Sequence, residues 1–324
     1  MTTRKVAVTD YTFDVLDVER SVLEPLGCQV VGQKTGKDPQ QLADLVKDAD
    51  YVLTQFAPVS AAIISAMQKC KVIVRYGIGV DNVDLGAAAA KGIPVCNVPD
   101  YCTDEVADHA LAMILDLTRK ITANAAKVKS GGWGLAVPLE ALSALKDLSV
   151  GIVGWGRIGR EVAGRLKAFK CEVLVHDPAV GNSTISAAGF TPVGLDELLR
   201  RSDLVTLHCP SSEGNRQMIN AQSLARMKAG AMLVNTSRGT LVKTGDLIAA
   251  LRAGSISAAA LDVTDPEPPN PDSPLLKMDN VIVTSHIASA SPQAVLKLRH
   301  QAASIVALAA RGQKLPNIVN GVTA

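Results

Sequence analysis

Val150-Gly-Ile-Val-Gly154-Trp-Gly156-Arg-Ile-Gly159 sets an apolar run directly before three glycines spaced G-x-G-x-x-G. Asp177 closes the next apolar run, Cys171-Glu-Val-Leu-Val-His176, at the roughly 20-residue distance that a strand–helix–strand unit requires. Each part answers a requirement of holding a dinucleotide. Gly154 permits the tight turn out of the strand, Gly156 lacks the Cβ that would meet a pyrophosphate, and Gly159 lets the next helix pack closely. The helix start offers free backbone amides to phosphates, and the Asp177 carboxylate accepts from ribose hydroxyls. An ordinary glycine turn explains the glycines but leaves the acid to coincidence. A carboxylate here repels a 2′-phosphate, and Pro178 brings no compensating charge, so the stretch predicts NAD rather than NADP.

Around it lies a chain of 324 residues, 48% hydrophobic, which suits two domains with buried cores. Aromatics make up only 3%, so Ala, Val, Leu and Ile do the filling. The formal charge of +2, without a block of Lys and Arg, predicts no nucleic-acid partner. No apolar run approaches the ~20 residues that cross a bilayer, so no membrane partner is expected. The first ten residues carry a basic pair but no apolar core behind it, which predicts a first strand rather than a signal peptide. Cys28, Cys70, Cys96, Cys102, Cys171 and Cys209 occur without Cys-x-x-Cys spacing. That pattern fits free thiols in a reducing cytoplasm better than zinc ligands or disulfides.

Before the glycine stretch, strands are predicted at 5–9, 29–31, 51–54, 72–75 and 94–97, with helices at 15–26, 39–47, 61–67 and 85–91 between them. Such alternation gives an α/β class with a parallel sheet. A long helix is predicted from 104 to about 129, carrying Val106, Ala110, Met113, Ile114 and Leu117 on one face, with Trp133 in a Gly-rich loop beyond it. The second sheet is predicted from 150–154, 172–176, 204–208, 231–235, 257–261 and 281–284, about six strands. The Pro-rich loop after Asp265 can be neither helix nor central strand. A last helix, 292–311, ends at Gly312. With the glycine stretch in mid-chain, two lobes and a cleft between them are expected, the last helix returning to the first lobe.

Transfer of a hydride from an alcohol needs a proton acceptor, a partner that orients it, and a cation for the substrate's negative end. Candidates stand at the ends of successive predicted strands, where ligands of open α/β sheets bind: Arg238 in Asn235-Thr-Ser-Arg-Gly239, Glu267 in Asp265-Pro-Glu-Pro268, and His286 in Val283-Thr-Ser-His286. Among the other histidines, His109 reads as a packing residue of the long helix, His176 as a strand end, His208 as a groove neighbour without an acid, and His300 as surface.

These segments, with Arg75-Tyr-Gly77-Ile-Gly79-Val-Asp81, Asn97-Val-Pro99 and Ala260-Leu-Asp262, resemble the D-isomer-specific 2-hydroxyacid dehydrogenases over nearly the whole chain. The resemblance implies a two-lobed α/β fold, a Rossmann-type NAD-binding domain at 101–291 inserted into a flavodoxin-like substrate domain formed by 1–100 and 292–324. It implies an NAD-dependent oxidoreductase that interconverts a D-2-hydroxy acid and its 2-keto acid as a cytoplasmic homodimer, with the 103–129 helix as the dimer contact. His286 would carry the proton, Glu267 would hold its imidazole and favour the protonated form, and Arg238 would clamp the substrate carboxylate and C2 oxygen. Amides around Gly77, Ile78 and Gly79 would help bind that carboxylate. Arg157 and Ile158 would meet the pyrophosphate, and Cys209 and Pro210 would line the cofactor groove. Thr236, Ser237 and Asp262 would face the nicotinamide side with Arg238 and His286, Asp262 as acceptor for the carboxamide, and Ile78 would also reach the cofactor.

Departures narrow the substrate. His286 is followed by Ile-Ala-Ser-Ala rather than an aromatic, which lowers glyoxylate. Thr54-Gln-Phe-Ala57 carries no phosphate-binding arginine, which lowers 3-phosphoglycerate, and Glu267 argues against formate dehydrogenase, whose histidine pairs with glutamine. The end at Ala324 leads us to expect no C-terminal regulatory extension and no serine feedback through one. The competing reading comes from Leu207-His-Cys209 and the Arg238 segment, which are also similar to the C-terminal-binding corepressors: an NAD-sensing interaction module without turnover.

Overall fold

Runs such as Tyr51-Val-Leu-Thr54 and Ala231-Met-Leu-Val-Asn235 are buried at every residue, as parallel strands are when helices cover both faces of their sheet. The computed structural model describes residues 3–34 and 38–323. It divides into two units, one made of the chain up to Tyr101 together with Ser291 onward, the other of Cys102–Ala290.

The first unit holds strands β1 (Arg4–Val8), β2 (Cys28–Gly32), β3 (Tyr51–Thr54), β4 (Ile73–Arg75) and β5 (Val95–Cys96), all parallel, in the order β2-β1-β3-β4-β5. This is the flavodoxin-like order. Helices α1 (Asp17–Leu23), α2 (Pro39–Val46), α3 (Ala61–Ala66) and α4 (Leu85–Ala90) connect the strands. Alternate strand residues fill two cores. Val6, Val8 and Leu53 pack with Leu23 and with Leu298, Ala302 and Val306 of the last helix, whereas Ala7, Val52 and Ile73 pack with Leu42, Ile64 and Ala88. A buried ion pair ties that last helix to α1: Arg299 donates to both oxygens of Glu19 at 3.0 and 2.7 Å, and Tyr76 donates its hydroxyl to the same carboxylate at 3.1 Å.

The second unit opens with α5 (Thr103–Arg119) and α6 (Ile121–Lys129), and continues with β6 (Ser149–Val153), α7 (Arg157–Ala168), β7 (Glu172–His176), α8 (Asn182–Ala187), β8 (Thr191–Pro192) and α9 (Leu195–Arg201). β9 (Leu204–Leu207), α10 (Ala221–Leu224), β10 (Ala231–Asn235), α11 (Thr244–Arg252), β11 (Ile256–Leu261) and β12 (Val281–Val283) complete it. The order β12-β11-β10-β9-β6-β7-β8 is the doubly wound Rossmann pattern with its reversal between β6 and β9. Helix α12 (Pro292–Ala310), with Ser291 capping its start, belongs to the first unit.

Two expectations are corrected. The single helix from 104 to about 129 is two helices, because Lys120 takes a left-handed φ of 53° between them. Asp116, in the last turn of α5, accepts from the Thr122 amide and hydroxyl, so an acid from one helix caps the start of the next. The second sheet has seven strands, not about six: β8 is only two residues long and pairs with β7, too short for periodicity to reveal. Among the described residues no helix is long and apolar enough to cross a membrane.

Candidate active site

Strand β6 enters the glycine turn at Gly154, whose φ of 105° and close approach both demand glycine: a Cβ there would lie 2.6 Å from the Cys209 nitrogen. A Cβ on Gly159 would lie 2.0 Å from the Gly154 carbonyl oxygen, so the close packing is against the turn itself. At Gly156 a Cβ would meet nothing within 4 Å. The twelve-residue helix α7 starts there with Arg157 and Ile158, and no side chain caps it. Open space over uncapped amides suits an anion. Asp177 takes the Trp155 amide on Oδ2 at 2.7 Å and the Ala179 amide on Oδ1 at 2.8 Å, which fixes its carboxylate beside the turn. Each oxygen retains a lone pair for a hydroxyl.

The ends of β9 and β10 continue the same edge. Burial lowers the His208 pKa to about 4, and its Nε2 lies 2.9 Å from the Thr206 hydroxyl. Burial also pushes the Cys209 thiol up to about 11, so the group beside Pro210 is neutral. Ser237 donates its hydroxyl to the Cys209 carbonyl, bridging the two strand ends. The Thr236 hydroxyl oxygen is buried without a hydrogen-bond partner, an unsatisfied group that a ligand carboxamide or hydroxyl would satisfy.

Arg238 follows on a loop shaped by Asn235, which accepts the Ser237 amide at 3.0 Å and donates to the Arg238 carbonyl at 2.8 Å. Gly239 lies against the next loop: a Cβ would sit 2.0 Å from the Thr264 carbonyl oxygen. Three residues on from Thr264, Glu267 accepts at Oε1 from His286 Nδ1 across 2.5 Å. Burial raises the Glu267 pKa, but the hydrogen bond and charge of His286, with smaller help from the Thr264 amide and Arg238, outweigh it and leave the carboxyl below its ordinary range. The field of Arg238 therefore reaches the carboxylate that holds His286. Pair and cation come together at one edge of the sheet, with His286 and Glu267 each partly exposed.

The surroundings of Asp262 and His109 add to the sequence expectations here. The Asp262 side chain is fully buried, and its oxygens accept from the Thr284 hydroxyl, the Ile287 amide and the Ala288 amide. The geometry ties Asp262 to the His286 turn, and Oδ2, with a single donor, keeps a lone pair for a further one. His109 is not only a packing residue, because its Nε2 lies 3.2 Å from the Thr284 hydroxyl and 3.7 Å from Asp262 Oδ1. Thr284, two residues before His286, carried no sequence signal of its own.

Gly77, Ile78 and Gly79 belong to the first unit. Gly77 has a φ of 147°, and a Cβ there would strike the Arg75 guanidinium. The loop is held by its carbonyls, that of Gly77 accepting from the Val98 amide at 3.0 Å and that of Ile78 from Asn97 Nδ2 at 2.6 Å.

Residues 111–288 match the D-isomer specific 2-hydroxyacid dehydrogenase, NAD binding domain. The chain belongs to that family. The matched span runs from α5 past the glycine turn, Asp177 and Arg238 to the His286 turn. A D-3-phosphoglycerate dehydrogenase of Archaeoglobus fulgidus is 38% identical over 288 residues, 89% of this chain but 54% of that protein. The chain thus spans about half the length of that family member. A glyoxylate reductase of Korarchaeum cryptofilum is 37% identical over 86% of this chain and 85% of its own length. The crystal structure of a D-lactate dehydrogenase from Aquifex aeolicus, complexed with NAD and lactic acid, superposes with a TM-score of 0.86 at 29% identity, covering 95% of this chain and 96% of that one.

Proposed function

We propose that this member of the family is an NAD-dependent dehydrogenase that interconverts a D-2-hydroxy acid and its 2-keto acid. The observation that carries the proposal is the 2.5 Å contact between His286 Nδ1 and Glu267 Oε1, with the charge of Arg238 acting on the same carboxylate. A carboxylate on Nδ1 fixes the tautomer and leaves Nε2 to exchange a proton with the C2 oxygen. Arg238 binds the substrate carboxylate with a planar, permanently charged fork. Bound NAD supplies the hydride acceptor, and NADH the donor in the reverse direction.

The residues fit the cofactor: the open uncapped start of α7 for pyrophosphate, Asp177 for the adenine ribose, and the Thr236 hydroxyl with Ser237, Cys209 and Pro210 further along the edge. Asp177 and the neutral Pro178 support NAD over NADP. A role for Gly77, Ile78 and Gly79 in carboxylate binding, and for Ile78 at the cofactor, rests on the family resemblance.

The names of the relatives put 3-phosphoglycerate, glyoxylate, hydroxypyruvate and lactate among the substrates to test. Ile287 in place of an aromatic places glyoxylate lower, and the lack of an arginine in 54–57 places 3-phosphoglycerate lower. The six free cysteines support a reducing cytoplasm. We also propose a homodimer, and move its contact from the whole 103–129 stretch to its second half. Helix α5 buries its apolar face in its own unit, whereas α6 buries no residue and exposes Ile121 and Val128 near the exposed Trp133, Leu135 and Leu139. A nucleotide-sensing interaction module has no need of a paired imidazole and carboxylate, and that pair favours turnover. The test is NADH consumption with a panel of 2-keto acids. Oxidation with at least one supports the enzyme, whereas NADH binding without turnover on any supports the module.

A further inference from the structure

Asp262 ends β11 with a side chain wholly withdrawn from solvent, and a carboxylate so placed needs several donors. Oδ1 accepts from the Thr284 hydroxyl at 2.5 Å and the Ile287 amide at 2.9 Å, and Oδ2 from the Ala288 amide at 2.9 Å. The Asp262 carbonyl accepts the His286 amide at 2.8 Å. One residue thereby gathers four donors from 284–288, and in their midst His286 holds a left-handed φ of 57° that a residue with a Cβ rarely adopts.

The chain of donors extends one step further. A hydroxyl has a single hydrogen and a carboxylate only accepts, so the Thr284 hydrogen points to Asp262. The Thr284 oxygen is then left as an acceptor toward His109 Nε2, 3.2 Å away, which must carry a proton there. His109 thus donates to Thr284 and Thr284 to Asp262, with His109 also 3.7 Å from the carboxylate.

We propose that His109 and Thr284 are positioning residues for His286: their donor chain holds the Asp262 carboxylate, which pins the left-handed turn presenting the imidazole to Glu267. The inference deepens the proposed function and rests on it for its kinetic consequence, but the turn itself can be measured without turnover.

Thr284→Val removes the hydroxyl at nearly constant shape. Hydrogen exchange at the Ile287 and Ala288 amides should accelerate, and kcat with the best 2-keto acid should fall, each on the order of tenfold. NADH affinity should stay within about twofold, and Thr284→Ser should restore both quantities. His109→Gln should move them in the same direction, and the double variant should lose less than the two single effects combined. Exchange at 287 and 288 unchanged in both Thr284→Val and His109→Gln would overturn the proposal. So would a Thr284→Ser that behaves like the valine variant, or a loss of NADH affinity in step with kcat. An unmodified protein that turns over no 2-keto acid would refute the dehydrogenase reading alone, and the exchange measurement would still decide the donor chain.

Discussion

Arg238 and His208 show how neighbours decide what a charged or chargeable side chain does. Arg238 sits on a loop ordered by the buried Asn235, and its field reaches the Glu267 carboxylate. Replacing it by lysine keeps the charge and loses the fork, so Arg238→Lys should raise KM for the 2-keto acid and lower kcat, each by about tenfold or more. Unchanged steady-state constants would remove Arg238 from the substrate's surroundings. His208 has its pKa lowered to about 4 by burial. Between that value and the roughly 6.5 of the unfolded chain, only the unfolded state binds the proton. The contribution of His208 to stability is therefore complete above pH ~6.5 and is lost as pH falls toward 4. Urea unfolding at steps from pH 7 to 4.5 should show a decline that His208→Asn reduces; equal slopes for both proteins would argue against an imidazole held neutral.

At the scale of elements, close approach is carried by two glycines, of which the G-x-G-x-x-G spacing had marked only the first. Gly159 packs on the Gly154 carbonyl and Gly239 on the Thr264 carbonyl, in each case backbone against backbone. Gly239→Ala should cost about 1–3 kcal/mol, because neither loop can take a methyl group without shifting. It should also raise KM, since Arg238 and Glu267 lie on the two loops involved; retained stability and KM would contradict the packing argument. The parallel strands were legible because burial on both faces makes them near-continuous apolar runs, and the glycine turn because its spacing answers a chemical need. The break at Lys120 was not, since a lysine in a left-handed conformation leaves no mark on apolar periodicity and its stabilising acid, Asp116, looks like any surface carboxylate. The surroundings of Asp262 were equally hidden. Its donors, Thr284 and two backbone amides, lie more than twenty residues along the chain and meet it only once β11 and β12 pair.

For the molecule as a whole, parallel sheets followed from the alternation of elements and their strand orders from the family resemblance, whereas the surface proposed for the homodimer followed from neither. The apolar side chains Ile121, Val128, Trp133, Leu135 and Leu139 stand exposed on one stretch of the second unit. Ile121→Asp with Val128→Asp should convert a dimer into a monomer in sedimentation velocity, with far-UV circular dichroism preserved. An unmodified protein that sediments as a monomer at every concentration would remove the homodimer. The functional claim is tested most directly by following NADH oxidation with pyruvate, hydroxypyruvate, glyoxylate and phenylpyruvate, in the unmodified protein and in His286→Ala, alongside NADH affinity. The account predicts turnover of at least one acid, a fall in kcat on the order of 10²–10⁴ in the variant, and NADH affinity within about twofold. A variant that retains the parent rate, or a parent that binds NADH and reduces none of the acids, would contradict it.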